Sequence, residues 1–260
     1  DRYEREKRPS AVRFATPAQK VSFDDLIRSK VEFDATLFGD FIIQRSDGVP
    51  LFVLSNVIDD NLMKISHVLR GEEHLVNTAK QILLADALNF LSPQFGHFPL
   101  IMKPDRSKMS KRKNPVSVTD DYKAKGYLPD AIVNYIALLG WSSGTDQEIY
   151  SLQQLINEFD LERVGKSPSI FDKEKLLWMN GHYIRQKSVG ELASAGQNFF
   201  TNPELFQMTL ARPDYYLEAV ALVHDRLKLL SEIEDQVSYF FIAPDYPPEL
   251  LIAKKSTRDN

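Results

Sequence analysis

The chain has 260 residues, 43% of them hydrophobic, with a net charge of −4 and no cysteine. That length suffices to bury a core in one large or two to three small domains, and the absent cysteines exclude disulfides and thiolate metal sites. The mild acidity excludes attraction to nucleic acid through bulk charge, so any such contact must come from local patches. No apolar run approaches the ~18 residues of a membrane span. The first ten residues, with four basic and three acidic side chains, do not read as a signal peptide.

Ala11-Val12-Arg13-Phe14 and Phe41-Ile42-Ile43-Gln44-Arg45 read as strands, separated by a polar turn at Phe23-Asp24-Asp25-Leu26-Ile27-Arg28. Leu51 to Val57 is mostly apolar without alternation, which predicts a strand covered on both faces. Asp59-Asp60 then reads as a turn that positions loops, with a Mg²⁺ ligand pair the less favoured alternative. A second buried strand, Ile65 to Leu69, ends at Arg70-Gly71. A helix follows through Leu75 to Leu88, with Ile82, Leu83, Ala85 and Leu88 facing a core.

Phe98-Pro99-Leu100-Ile101-Met102 reads as a short buried strand and Pro104-Asp105 as a turn, with Asn114-Pro115 as the exit. Between Lys103 and Lys113 stand six cations against the single acid Asp105. Strand, tight loop, helix, strand and basic loop form the second half of a doubly wound domain, and loops at strand ends are where such folds hold nucleotides. A triphosphate cleaved at its α-phosphorus sheds charged pyrophosphate. Lysines beside small serine-type residues can follow that charge as it develops.

Beyond Pro115 the pattern turns helical. Pro129 sits at a helix start and Gly140 just past its end, Asp172 caps a helix that closes near Gly181, and Gly165-Lys166-Ser167-Pro168 links the two. Further helices are broken at Asn202-Pro203 and between Pro244 and Pro248. Trp141, Trp178, Met179 and Tyr183, at helical spacing, read as core rather than as platforms for bases. Lys166, Lys173, Lys175, Arg185 and Lys187 give a local basic excess able to follow a phosphate backbone.

Position alone leaves Arg70 between a surface arginine and a group at the sheet's lip that grips a carboxylate. There it would support little core packing. Asn56 lies in an apolar stretch, where an unpaired amide is costly and a bond to a neighbouring loop is the plain reading. His67, His74 and His97 lack acid or cysteine partners at ligand spacing, so structural roles outweigh metal binding.

Lys108-Met109-Ser110-Lys111-Arg112 resembles the basic-loop signature of class I aminoacyl-tRNA synthetases. Four further blocks resemble the glutamyl-tRNA synthetase family of bacteria and organelles: Ser46 to Asp60, His67 to Leu75, Gly126-Tyr127-Leu128-Pro129 through Leu138-Leu139-Gly140-Trp141, and Phe171-Asp172 through Trp178-Met179-Asn180-Gly181. The resemblance implies an α/β then all-α chain: the second half of a Rossmann-type nucleotide-binding fold, then helical stem-contact and anticodon-binding domains. The implied segments are 1–40 (end of the acceptor-binding insertion), 41–115 (C-terminal half of the catalytic fold), 116–187 (stem contact) and 188–260 (part of the anticodon-binding domain).

The implied activity is ATP-dependent attachment of glutamate to tRNA-Glu through a glutamyl adenylate. Its catalytic residues would be Lys108, Ser110 and Lys111. ATP would meet Glu73, Ile101, Lys108, Met109, Ser110, Lys111 and Arg112. Glutamate would meet Phe52, Val53, Leu54, Ser55, Asn56 and Arg70, with Phe52 standing where relatives usually place a tyrosine. tRNA would meet Lys166, Arg185 and Arg226, the last inside an expected helix from Leu222 to Leu230. The resemblance further implies ATP with Mg²⁺ as substrate complex, a monomer, and a cytoplasmic or organellar-matrix location. Some relatives hold zinc through cysteines in the acceptor-binding insertion, and with no cysteine here no protein-bound zinc or other metal site is expected, nor a membrane partner.

Family members also carry a His-Ile-Gly-His type signature near their N-terminus. None of the five histidines here is followed two places later by glycine. The chain is therefore expected to be a piece of the enzyme, inactive alone, that opens inside the acceptor-binding insertion and stops inside the anticodon-binding region. A non-catalytic tRNA-binding or assembly protein and a glutaminyl-tRNA synthetase are the alternatives. The latter has an anticodon region of β-barrels, whereas this tail reads helical.

Overall fold

The computed structural model describes residues 9–109 and 118–243. They fall into two compact units, one drawn from residues 9–109, 137–148 and 153–171, the other from 118–136, 149–152 and 172–243.

The first unit opens with β1 (Val12–Phe14), β2 (Lys20–Asp25), β3 (Ser29–Asp34) and β4 (Phe41–Gln44). Helix α1 (Phe52–Leu62), β5 (His67–Gly71), α2 (Leu75–Ala87), β6 (Gln94–Phe98) and β7 (Ile101–Met102) follow. One sheet has the order β3-β2-β6-β5, with β5 and β6 parallel and linked by the crossover helix α2. This is the strand–helix–strand unit expected of a doubly wound half.

Residues 23–28 do not form one turn. Their first three complete β2, which pairs with β3 from Lys20 opposite Asp34 to Asp25 opposite Ser29. Val21, Phe23, Val31 and Phe33 alternate inward with exposed Ser22, Lys30 and Glu32, the pattern of half-buried strands. Ser29 closes the turn at φ 66°, a conformation uncommon for serine. β2 also meets β6 at Asp25–Phe95, and β1 pairs with β4. Hydrogen bonds thus cross the expected boundary at residue 40.

Residues 51–57 form no strand; from Phe52 they are the start of α1. Val53 and Val57, four residues apart, pack with Phe41, Leu84 and Ala85. A short apolar run without alternation satisfies a helix as well as a buried strand, and here the helix wins because only every third or fourth position is needed by the core. Asp59 and Asp60 lie in the helix's last turn, where their carbonyls accept from Met63 and Ile65 at 2.8 Å each. On α2, Leu83 and Ala85 are buried with Ala79 and Leu84, but Leu88 is 40% exposed. The strand expected at 98–102 is interrupted: β6 ends at Phe98, Pro99 has no N–H to continue it, and β7 pairs instead with β8 (Ser169–Ile170).

Helices α3 (Pro129–Leu138) and α4 (Leu152–Glu158) precede β8, and α5 (Lys173–Arg185), α6 (Val189–Gly196), α7 (Pro203–Ala211), α8 (Pro213–Val223) and α9 (Glu232–Phe241) follow it. Asp172 caps α5 by accepting from Glu174 N at 2.9 Å and Lys175 N at 3.1 Å. The helix runs past Gly181, which lies close to the Leu227 carbonyl, and ends four residues later. Ser188 and Glu191 form a capping box at α6, and Asn202 caps α7 ahead of Pro203. Buried Leu192, Leu205, Val220, Val223, Ile233 and Val237 hold these helices together.

Trp141, Met179 and Tyr183 are buried as expected, whereas Trp178 is 46% exposed. The helix expected from Leu222 to Leu230 ends at Val223; Arg226 lies in a 3₁₀ turn, His224–Arg226, after which Leu227 is extended. The expected break between Pro244 and Pro248 lies outside the described residues.

Candidate active site

The C-terminal end of β5 carries Arg70, whose partners come from α2 and β6. One Nη2 donates to Thr78 Oγ1 at 2.6 Å and Gln81 Oε1 at 2.5 Å. Nε lies 3.4 Å from His97 Nε2, and the guanidinium carbon sits 5.7 Å from the centroid of the Phe95 ring. Thr78 and Gln81, three apart on α2, point the same way. Gln81 Nε2 in turn donates to Asn56 Oδ1, so the amide of α1 finds its partner on a helix rather than a loop.

Arg70 is thus half-buried in neutral acceptors, and it supports packing that a residue at the lip of the sheet would not. Burial lowers its pKa from the ordinary value, opposed by the nearby Asp60; the Asp60 carboxyl is itself raised, first by burial. Among the described residues Arg70 has no ion pair, and neither its Nη1 nor Asn56 Nδ2 has a hydrogen-bond partner. Both free groups are donors only. An unpaired, partly buried guanidinium is costly, and an acceptor-rich anion such as a carboxylate relieves that cost.

The helical form of α1 splits the other residues expected to hold glutamate. Phe52 is 55% exposed, its ring 6.2 Å from that of His74, and Asn56 faces Gln81. Val53 packs into the core, and the Ser55 hydroxyl bonds back to the Leu51 and Phe52 carbonyls at 3.4 Å. The five consecutive positions therefore do not line one face; Phe52 and Asn56, one turn apart, do.

Beside β5, the short 3₁₀ turn Glu72–His74 sends its two acids in different directions. Glu72 pairs with Arg28 and accepts from Leu100 N at 3.2 Å, tying the β2–β3 turn to the β6–β7 connection. Glu73 is exposed and lies 3.7 Å from Lys108 Nζ, a separation that contributes little as a surface pair but brings two of the expected ATP contacts together. Lys108 is positioned because the chain folds back after β7: Lys103 N donates to Ser107 O at 2.9 Å, Arg106 takes φ 62°, and Lys108 bridges to Met102. Met109 N reaches the Ile101 carbonyl at 3.4 Å. Ser110, Lys111 and Arg112, the remainder of the expected loop, lie outside the described residues.

Lys166 belongs to the first unit, where its Nζ donates to Ser29 Oγ at 2.8 Å and its carbonyl accepts from Arg28 Nη2 at 3.1 Å. Arg185 and Arg226 belong to the second unit, on elements that pack together, and both are exposed. Among the described residues no cluster of three or more His, Asp or Glu could hold a metal ion, and no helix is long and apolar enough to cross a membrane.

Asp25 and the function of Thr78 and Gln81 escaped the sequence reading. His97 is fully buried, its Nδ1 2.5 Å from Asp25 Oδ2 and its Nε2 2.9 Å from Thr78 Oγ1. Polar residues at 78 and 81 on the core-facing side of α2, beside buried Ala79, Leu83, Leu84 and Ala85, were the available signal. Burial depresses the His97 pKa, outweighing the opposing pull of Asp25. Burial raises the Asp25 carboxyl, but bonds from His97 and the Arg28 and Ile27 amides outweigh it and hold the group below its ordinary value.

For both groups the unfolded chain therefore takes up protons before the folded one. Stability is expected to be intact above about pH 6.5 and to fall below it through His97, then further through the carboxylate range through Asp25, each with a limiting slope of about 1.4 kcal/mol per pH unit. Melting temperature measured from pH 8 to 4 checks this; His97→Gln should flatten the upper part of the profile.

The first unit carries a strand–helix–strand α/β fold with a parallel β5–β6 pair, and the second is helical. Residues 1–178 match the family of class I tRNA synthetases (E and Q), catalytic domain, and residues 185–260 match an anticodon binding domain. The chain belongs to the class I glutamyl- and glutaminyl-tRNA synthetase family.

It is 45% identical to the glutamate–tRNA ligase of Moorella thermoacetica over 99% of this chain and 53% of that protein. It is 41% identical to the glutamate–tRNA ligase of Carboxydothermus hydrogenoformans over 100% of this chain and 55% of that one. A crystal structure of a glutamate tRNA ligase from Elizabethkingia meningosepticum in complex with its amino acid superimposes with a TM-score of 0.80 at 30% identity, covering 95% of this chain and 52% of that one. The chain spans about half the length of the curated relatives it matches. Among the described residues no strand follows Ile170, in keeping with the glutamyl rather than the glutaminyl reading.

Proposed function

We infer that the chain is the part of a glutamate–tRNA ligase that grips the amino acid and the phosphates of ATP, and that contacts tRNA-Glu. The observation that carries this is Arg70, half-buried, with no ion pair among the described residues and with free donors on its own Nη1 and on Asn56 Nδ2. Glutamate carboxylate attacks the α-phosphate of ATP, brought in with Mg²⁺ as its substrate complex; pyrophosphate leaves, and a ribose hydroxyl of tRNA then takes the glutamyl group from the resulting glutamyl adenylate, releasing AMP. No side chain acts as nucleophile. Arg70 with Phe52 and Asn56 orients the amino acid, Glu73 and Ile101 border the nucleotide, and Lys108 and Lys111 offset charge developing on the departing phosphates.

Residues 1–40 then close the acceptor-binding insertion, 41–115 complete the catalytic fold, 116–187 touch the tRNA stem and 188–260 approach the anticodon, with Lys166, Arg185 and Arg226 on the phosphate backbone. The enzyme acts as a monomer in the cytoplasm or an organellar matrix, without bound zinc. The test is transfer of labelled glutamate to tRNA-Glu by the complete gene product. Lys111→Ala should slow adenylate formation at least about tenfold, or ~1.4 kcal/mol of transition-state stabilisation. An unchanged single-turnover rate would leave the basic loop merely solvated.

A further inference from the structure

Behind Arg70 lies a chain of buried polar groups, each committed to one direction. Asp25 Oδ1 accepts from the backbone amides of Ile27 at 3.0 Å, Arg28 at 2.8 Å and His97 at 3.1 Å, leaving Oδ2 to face His97 Nδ1. A carboxylate so placed can only accept, so the imidazole carries its proton on Nδ1 and presents a lone pair at Nε2. That lone pair takes the Thr78 hydroxyl proton, for which the His74 carbonyl at 3.2 Å is the competing acceptor. Thr78 Oγ1 is thereby free to accept from Arg70 Nη2, and Arg70 Nε–H faces the same imidazole nitrogen.

An Asp–His pair buried in a sheet interior is costly compared with apolar residues of the same shape, so stability alone does not account for it. We propose that Asp25 and His97 are positioning residues for the carboxylate site: by fixing one imidazole tautomer they hold the Arg70 guanidinium with Nη1 turned to the ligand. This rests on the reading of Arg70 as the glutamate contact. Asp25, on β2, and His97, on β6, touch no substrate in this scheme and act only through Thr78 and Arg70.

Asp25→Asn is the discriminating change. The amide oxygen keeps the three backbone amides, but its NH₂ now points at Nδ1 and moves the ring proton to Nε2, against Arg70 Nε–H. In the complete gene product the Michaelis constant for glutamate should rise at least about tenfold while that for ATP stays within about twofold, and in an Arg70→Lys background Asp25→Asn should add almost nothing, since coupled residues are not additive. Thr78→Val should act in the same direction and Thr78→Ser should restore glutamate binding. The ¹⁵N shifts of His97 should report the exchanged tautomer.

A glutamate Michaelis constant unmoved by Asp25→Asn despite a lowered melting temperature, or effects that multiply with Arg70→Lys, would overturn the proposal. Arg70→Lys alone leaving glutamate binding intact would instead remove the carboxylate site itself.

Discussion

Replacing Arg70 with lysine is expected to weaken glutamate binding by roughly 1 to 3 kcal/mol, the scale of a hydrogen bond to a charged group, and to lower thermal stability as well. The first effect follows from geometry. A planar guanidinium can hold Thr78 and Gln81 with one nitrogen and offer the other to a ligand, whereas an ammonium on a flexible stem cannot serve both sides at once. The second follows from burial, since Thr78 and Gln81 are both buried and each loses a donor; an unsatisfied buried acceptor costs about 1 to 3 kcal/mol. Michaelis constants for glutamate and for ATP, together with the melting temperature, separate the two. A collapsed melting temperature with a wild-type glutamate constant in the surviving enzyme would make Arg70 a purely structural residue.

That second effect could not be read from the sequence, and the reason is instructive about what was legible. Strands at 12–14 and 41–44 and the helix at 75–87 were visible because apolar spacing and turn residues agree there. Residues 51–57 satisfy two patterns at once, and only the packing of Val53 and Val57 against Phe41 and Leu84 decides between them. The site divides along the same line. Lys108 was picked out by the cation density of its loop, a local feature, whereas position alone left Arg70 open and only the family resemblance pointed to it and to Glu73. The support of Arg70 by Asp25 and His97 joins positions 72 residues apart, and a pairing at that distance leaves no periodic trace in a single sequence. Trp178 shows the converse limit: its helical spacing matched that of the buried Met179 and Tyr183, yet one step around α5 puts it in solvent.

In the second unit the largest structural effect is expected at Gly126, where alanine should cost about 2 to 5 kcal/mol. Two terms add. Gly126 has φ 81°, a left-handed conformation that costs a residue with a Cβ roughly 1 to 2 kcal/mol. Its hydrogen would also be replaced by a methyl group 2.7 Å from both Leu230 Cβ and Leu230 N and 2.8 Å from Ser231 N. Backbone is among the obstructing atoms, and overpacking that forces backbone to move typically costs a further 1 to 3 kcal/mol.

The segment cannot easily retreat. Leu230 N donates to the Gly126 carbonyl at 3.2 Å, the Ser231 hydroxyl donates to the Lys125 carbonyl at 2.8 Å, and Leu230 is itself buried. Gly144→Ala isolates the first term, because Gly144 has φ 83° and nothing within 4 Å of its added Cβ. Urea unfolding of the two variants beside the wild type should show Gly126→Ala as the more damaging by at least about 1 kcal/mol. Equal losses would mean that residues 230–231 yield without cost, and that positive φ alone explains the glycine.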